Sequence, residues 1–345
     1  MPQERIESAW LDAFETVLTQ CGVVAGHTVA VLSETQSRPI LVELARLAAT
    51  RLKAQVFVLQ LNTPAPVQGL PVIRSTGACN ALQGLSPVVQ SLAQSTLVVD
   101  CTVEGLMHAP ELPAILGGGA RVIYVSNEHP ETLCRLLPDA GVESSVKAHV
   151  KRLRGARQMH VTSPHGTDLR IDLQGAGVGG NWGVTTRPGT LTHWPGGLVL
   201  AFPRAGSVQG TLVLAEGDVN LTFKRYLERP VTLRIARDHI DAIEGPGLDA
   251  ELMRSYIAAW GDRAAYAVSH VGYGLNPAAR WDSMAMLDKR DFNGTELRAF
   301  AGNFLYSTGA NETAGRYTLG HFDLPMRLCT VQLDGEVVVR DGQLA

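Results

Sequence analysis

Apolar residues fall into two different textures along the chain. Up to about residue 150 they come as short continuous runs rich in β-branched residues, "TVAVLS" (28–33), "QVFVLQL" (55–61), "TLVVDCT" (96–102) and "RVIYVS" (121–126). Between them lie stretches with helical spacing, "PILVELARLAATRLKA" (39–54) and "PVVQSLAQS" (87–95). The opening stretch, "ERIESAWLDAFETVLTQCG" (4–22), puts Ile6, Trp10, Phe14 and Val17 on one helical face, with Gly22 as a stop. Continuous apolar strands alternating with helices predict a mostly parallel sheet covered on both faces.

Past about residue 155 the pattern shifts to alternating, turn-punctuated strands. "QMHVTSPHGTDLRIDL" (158–173) predicts a hairpin around Pro164, His165 and Gly166. "GLVLAFP" (197–203), "GTLVLAEGDV" (210–219), "VTLRIARDHIDAIEG" (231–245) and "CTVQLDGEVVVRDG" (329–342) are strand-rich, and one helix, "LDAELMRSYIAAW" (248–260), interrupts them. The expected architecture is therefore an α/β domain over 1–155 followed by an α+β domain with largely antiparallel strands over 156–345. The segment "GAGVGG" (175–180) satisfies G-x-G-x-x-G, but "NWGVTTRPGT" follows it, with no helical period to hold a pyrophosphate. A loop over a pocket is the expectation there.

Bulk composition narrows the function. The 345 residues are 45% hydrophobic and carry a net charge of −3, with no basic run, which excludes a nucleic-acid footprint or an anionic-membrane surface. No apolar run approaches the ~18 residues of a membrane span. The N-terminus is charged and amphipathic, unlike a signal peptide. Cys21, Cys79, Cys101, Cys134 and Cys329 are scattered, odd in number and without C-x-x-C, as expected of reduced thiols in a cytoplasmic protein.

Candidate chemistry centres on "LGHFDLP" (319–325). In an extended chain residues i and i+2 share a face, so His321 and Asp323 project together while Phe322 points into a core. An imidazole and a carboxylate side by side are either two ligands of a divalent metal or an ordinary hydrogen-bonded pair. Among the ten histidines, His27, His129, His149 and His165 are expected to face solvent, and His160 and His239 to be structural. Three remain beside Gly-rich turns or strand ends: His270 in "VSHVGYGLNP", His193 in "THWPGG" and His108 in "EGLMHAP". His108 follows a predicted strand, where open α/β sheets usually bind ligands.

Several segments together carry a family resemblance: "HAPE", "THWPGG", "GTLVL", "SHVGYGLNP", "RAFAGNFLYSTG" and "HFDLP". The second half resembles the metallo-aminopeptidases first known from thermophiles, and more closely their oxygenase relatives, the 2,5-dihydroxypyridine 5,6-dioxygenases. Relative to the two-metal peptidases, Leu198 stands where a glutamate ligand follows a Pro-x-Gly turn. His270 replaces a second glutamate, and Leu305 falls near a histidine ligand. Two aliphatic side chains cannot ligate, so the resemblance implies a single site of His270, His321 and Asp323. Two imidazoles and one carboxylate form the open ligand set of non-haem Fe(II) oxygenases.

The resemblance further implies an Fe(II) extradiol-type enzyme that opens 2,5-dihydroxypyridine with O₂ to N-formylmaleamate, in nicotinate-type degradation. It implies His193 as base and His108 as orienting or relay partner, with Arg298 and Ser307 at the polar edge of the ring. The expected partners are a small aromatic substrate, O₂ and further copies of the chain in a homo-oligomer. The alternatives are a two-metal aminopeptidase-like hydrolase, a ring-cleaving enzyme for another hydroxylated heteroaromatic, and a non-catalytic module with a structural metal. Structural zinc sites usually close with four protein ligands, against the three found here.

Overall fold

A computed structural model describes residues 5–65 and 78–345. The first half builds four strands of a five-stranded, all-parallel sheet, with strands in the spatial order Gln55–Leu61, Thr28–Glu34, Leu97–Asp100, Arg121–Val125 and Leu191–Trp194. Both faces are covered, which is why the strand sequences read as unbroken apolar runs. On one face Val29, Val31, Val99 and Ile123 pack against Phe14, Val17, Leu41 and Leu44 of the helices Ser8–Gln20 and Pro39–Arg51. On the other, Ala30, Leu32, Val98 and Val122 meet Leu92, Leu112 and Ile115. The first helix begins at Ser8, so Ile6 precedes it and is exposed, and residue 4 of the expected helix lies outside the described residues.

The fifth strand, Leu191–Trp194, comes from well past residue 155, so the chain returns to the first sheet before completing the second half. That return pairs His193 with Tyr124 and sets it near the carboxyl ends of the parallel strands.

The second half is built on two large antiparallel sheets, with a two-stranded ribbon of Val219–Asn220 and Arg225–Tyr226 beside them. One has eight strands, running spatially from His239–Glu244 to Gln343–Leu344, and includes the expected 158–172 hairpin. The other has five, in the order Asp323–Met326, Phe304–Thr308, Val268–Gly274, Leu198–Phe202 and Gly177–Asn181. Val199, Ala201, Val271, Tyr273, Phe304, Tyr306, Leu324 and Met326 point into a shared core with the larger sheet. By the two-residue period of a strand, Leu198, Leu200, Phe202, His270, Leu305, Ser307 and Asp323 occupy the opposite face. A β-bulge between Val268 and Val271 re-registers the third strand at His270. Gly272 is required there, because a Cβ would sit 1.9 Å from the Val199 carbonyl oxygen.

The "GAGVGG" segment is not a loop. Gly177–Asn181 is the edge strand of the five-stranded sheet, paired antiparallel with Leu198–Phe202. The helix Ala140–Gly155 lies on it so closely that a Cβ at Gly180 would fall 2.5 Å from Val150. Among the described residues no helix is long and apolar enough to cross a membrane, and all five cysteines are free.

Candidate metal and substrate site

The carboxyl ends of the parallel sheet face the outer side of the five-stranded sheet, and a cavity lies between them. Its lining includes His108, His193, His270, His321, Asp323 and Arg298, with Leu198, Leu200 and Leu305 as an apolar wall. Six of the seven residues singled out from the sequence therefore meet at one place. Ser307 does not line the cavity: it sits opposite Asp323 in the strand register, fully buried, and its hydroxyl donates to Asp323 Oδ1. That hydroxyl is thereby committed to the carboxylate.

His321 and Asp323 behave as the i, i+2 rule predicts, and Phe322 packs inward on Phe223 and Tyr256. His321 Nδ1 lies 2.6 Å from the Thr308 carbonyl. A carbonyl only accepts, so Nδ1 carries the hydrogen and Nε2 carries the lone pair. That lone pair lies 3.0 Å from Asp323 Oδ2. His270 repeats the arrangement. The Ser269 hydroxyl donates to the Ala310 carbonyl and accepts from His270 Nδ1 at 3.0 Å, which leaves His270 Nε2 3.7 Å from Asp323 Oδ1. Burial first, with His108, His321 and Arg298 adding to it, holds His270 neutral, its pKa pushed down to about 3 against the pull of Asp323.

Asp323 is held ionised. Burial raises its pKa, but the Arg298 guanidinium beside it outweighs burial and brings the carboxyl well below the ordinary range. Arg298 Nε donates to Oδ2, and its Nη1 donates to Asn293 Oδ1 at 3.2 Å. Two imidazole lone pairs facing one carboxylate repel unless a cation lies among them. Metal-binding nitrogen and oxygen donors are held in place by hydrogen bonds on their far sides, as these are. The donor set therefore fits a single divalent cation, with His270, His321 and Asp323 as the residues able to hold it. As positioned, with Asp323 drawn to Arg298 and Ser307, no group of three or more His, Cys, Asp or Glu residues among those described forms a ready metal cage.

The first half supplies the opposite wall. Asp100, at the end of its strand, accepts from Thr102 N–H, Thr102 Oγ and Leu106 N–H, which folds the following loop back and delivers His108 to the cavity. His108 Nδ1 meets Glu312 Oε1 at 3.0 Å, and its ring stacks with His270. His193 is buried beside Asn181, whose Nδ2 lies 2.6 Å from His193 Nδ1. Burial pushes the His193 pKa down to about 4. Glu128, fully buried, accepts backbone N–H bonds from Asn293 (2.8 Å), Gly294 (2.8 Å) and Thr295 (2.9 Å) at the start of the helix Thr295–Ala299 that carries Arg298.

The two leucines expected where a peptidase would carry ligands lie at the cavity itself. Leu198 and Leu305 both face the cavity and pack in one small apolar cluster with Leu200 and Ala299. The NicX family, 2,5-dihydroxypyridine 5,6-dioxygenase, matches residues 9–345. The chain belongs to this family. It is 38% identical over 338 residues to the 2,5-dihydroxypyridine 5,6-dioxygenase of Pseudomonas putida KT2440, covering 96% of this chain and 94% of that protein. The solved structure of the 2,5-dihydroxypyridine dioxygenase from the same organism superposes with a TM-score of 0.92 at 36% identity, over 99% and 98% of the two chains. AmpT from Thermus thermophilus shares the fold, with a TM-score of 0.63 at 18% identity over 98% and 99%. The expected aminopeptidase-like architecture and the expected dioxygenase family thus both hold.

Some site residues gave no warning in the sequence. Asn181 ends a glycine-rich run, and Glu128 and Glu312 sit in polar turns where a carboxylate is ordinarily solvated. Their partners are 12, 165 to 167, and 204 residues away. Of the histidines expected in solvent, His149 is half-buried against the Tyr273 hydroxyl at 3.1 Å.

Proposed function

We propose that the chain is an Fe(II)-dependent dioxygenase that opens 2,5-dihydroxypyridine between C5 and C6 to give N-formylmaleamate. The observation that carries this reading is the pairing of two imidazole lone pairs with one ionised carboxylate against a wall where Leu198 and Leu305 exclude further ligands. A redox-active iron held there would supply the one-electron path that ground-state O₂ needs to react with a closed-shell ring, which redox-inert zinc cannot.

The residues of the chain do the rest. The aliphatic wall of Leu198, Leu200 and Leu305 receives the faces of a flat aromatic and excludes water. Arg298, fixed between Asp323 and Asn293, places positive charge beside the bound ring and favours a deprotonated hydroxyl. His193 and His108, on the opposite wall, hold and move protons at the ring oxygens. Ser307 and the Thr308 carbonyl fix Asp323 and His321 in the plane they need for ligation. The substrates are a small hydroxylated heteroaromatic and O₂.

The test is oxygen uptake by the Fe(II)-loaded protein across a panel of dihydroxypyridines, with products identified by mass. Consumption of one O₂ per 2,5-dihydroxypyridine, with a product heavier by two oxygen atoms, is expected. Uptake with another isomer and none with this one would reassign the substrate, and no uptake with any of them would overturn the reading.

A further inference from the structure

Three side chains from the two halves of the chain form a hydrogen-bonded line along one side of the cavity. Arg298 Nη1 donates to Asn293 Oδ1 at 3.2 Å, Asn293 Nδ2 donates to the Tyr124 hydroxyl at 3.2 Å, and that hydroxyl donates to the Val103 carbonyl at 3.2 Å. The sense of every link is fixed by the two ends. A guanidinium only donates, so the amide oxygen faces Arg298 and the NH₂ faces Tyr124. A carbonyl only accepts, so the phenol hydrogen points to Val103 and a lone pair to Asn293. Burial, with Glu104 and Asp100 nearby, keeps that phenol protonated, its pKa well above the ordinary value. The line is anchored as well. Asn293 N–H donates to Glu128 Oε2 at 2.8 Å, and the Tyr124 ring lies against Gly105, where a Cβ would come within 3.0 Å of it.

What the line controls is a rotation. Arg298 Nε donates to Asp323 Oδ2, and that bond alone leaves the guanidinium able to turn about Nε–Cζ, exchanging Nη1 with Nη2. The bond from Nη1 to Asn293 blocks the turn. Among the described residues nothing accepts from Nη2. In the planar fork Nη2 shares an edge with Nε, so an acceptor on Nη2 sits next to Asp323 Oδ2. Arg298, Asn293 and Tyr124 all line the cavity.

We propose that Asn293, backed by Tyr124, is a positioning residue that locks the Arg298 guanidinium with Nη2 turned to the cavity, a fixed donor for the substrate oxygen that binds beside Asp323. In the proposed cleavage between C5 and C6 that oxygen is the one on C5, so the ligand rests on the dioxygenase reading, while the lock rests on the hydrogen bonds alone. A ring without an oxygen there leaves Nη2 unpaired in an enclosed site, and a ring with one satisfies it. Rejection of the bare ring is therefore a property of the line that holds Arg298 still.

Two measurements on the full-length, Zn²⁺-loaded protein test the lock, neither of which needs turnover. The first is ¹⁵N NMR of arginine-labelled protein, with the Arg298 signals assigned by their loss in Arg298→Lys. Nη1 and Nη2 of Arg298 are expected to give separate signals in the wild type and to merge in Asn293→Ala and Tyr124→Phe, as rotation about Nε–Cζ is released. The second is anaerobic calorimetric titration with 2,5-dihydroxypyridine and with 2-hydroxypyridine, which lacks the oxygen on C5. Both variants are expected to weaken binding of the first by about tenfold, the scale of one hydrogen bond to a charged group, and to leave the second unchanged. Separate Nη signals that persist in Asn293→Ala, or an equal loss of affinity for both ligands, would overturn the proposal. A wild type that binds neither ligand overturns the dioxygenase reading alone, and the NMR result then decides the role of Asn293.

Discussion

The Nε2 of His321 lies 3.0 Å from Oδ2 of Asp323 while its Nδ1 is committed to the Thr308 carbonyl. With both atoms presenting lone pairs, the contact stabilises the fold when a cation joins them and opposes it otherwise. Divalent metal is therefore expected to stabilise the folded chain in proportion to the logarithm of its concentration above Kd, by about 2.7 kcal/mol at a hundred times Kd, and to raise the melting temperature with it. His321→Ala is expected to abolish that rise. An equal rise in the variant, followed by differential scanning fluorimetry, would place the ion elsewhere.

The three backbone bonds to Glu128 tie the first half of the chain to the helix that aims Arg298. Glutamine at 128 keeps one acceptor oxygen and turns an NH₂ toward the remaining donors. Glu128→Gln is expected to cost about 1–3 kcal/mol in urea denaturation, the penalty of unsatisfied buried donors, and to raise the substrate KM through a displaced Arg298. Unchanged stability would show that the loop is held by other contacts.

Much of this architecture was legible in the sequence. The parallel strands read as continuous apolar runs because both faces are covered, and His321 and Asp323 read as a pair because strand geometry fixes their side. Two kinds of information were not local. Gly177–Asn181 has almost no side chains with which to display an alternation, so a strand held by the neighbouring strand and by the helix above it looked like a loop. Ser307 alternates correctly with Leu305 toward the site side of its sheet, but whether it reaches the cavity or stops at Asp323 depends on the register with the next strand. Asn181, Glu128 and Glu312 became visible only once distant loops met.

Arg298 donates through Nε and Nη1 to two different acceptors, a use of its planar fork that an ammonium cannot reproduce. Arg298→Lys is expected to lower kcat/KM by roughly tenfold or more while leaving the metal content near one per chain. Loss of metal in this variant would mean that Arg298 holds Asp323 in place for the ion and has no separate part in handling the ring.

The pH dependence of stability follows from His193. Its pKa is about 4 in the folded chain because of burial, against about 6.5 when unfolded. Between these values the unfolded state binds the extra proton, so the contribution of His193 is complete above about pH 6.5 and is lost as the pH falls toward 4. At 1.36 kcal/mol per unit the loss is about 3 kcal/mol across that window. His193→Gln cannot titrate, so urea denaturation at pH 7 and 4.5 is expected to show the variant losing less stability on acidification than the wild type. Parallel losses would contradict a buried neutral imidazole at this position.

The most direct test of the metal centre is anaerobic reconstitution followed by metal analysis and a single oxygen-uptake assay. One Fe per chain is expected, with ring opening of 2,5-dihydroxypyridine in the iron-loaded protein, none in the zinc-loaded protein, and loss of both metal and activity in His270→Ala, His321→Ala and Asp323→Ala. Two metals per chain, or a His321→Ala variant that still binds iron and consumes oxygen, would contradict the account.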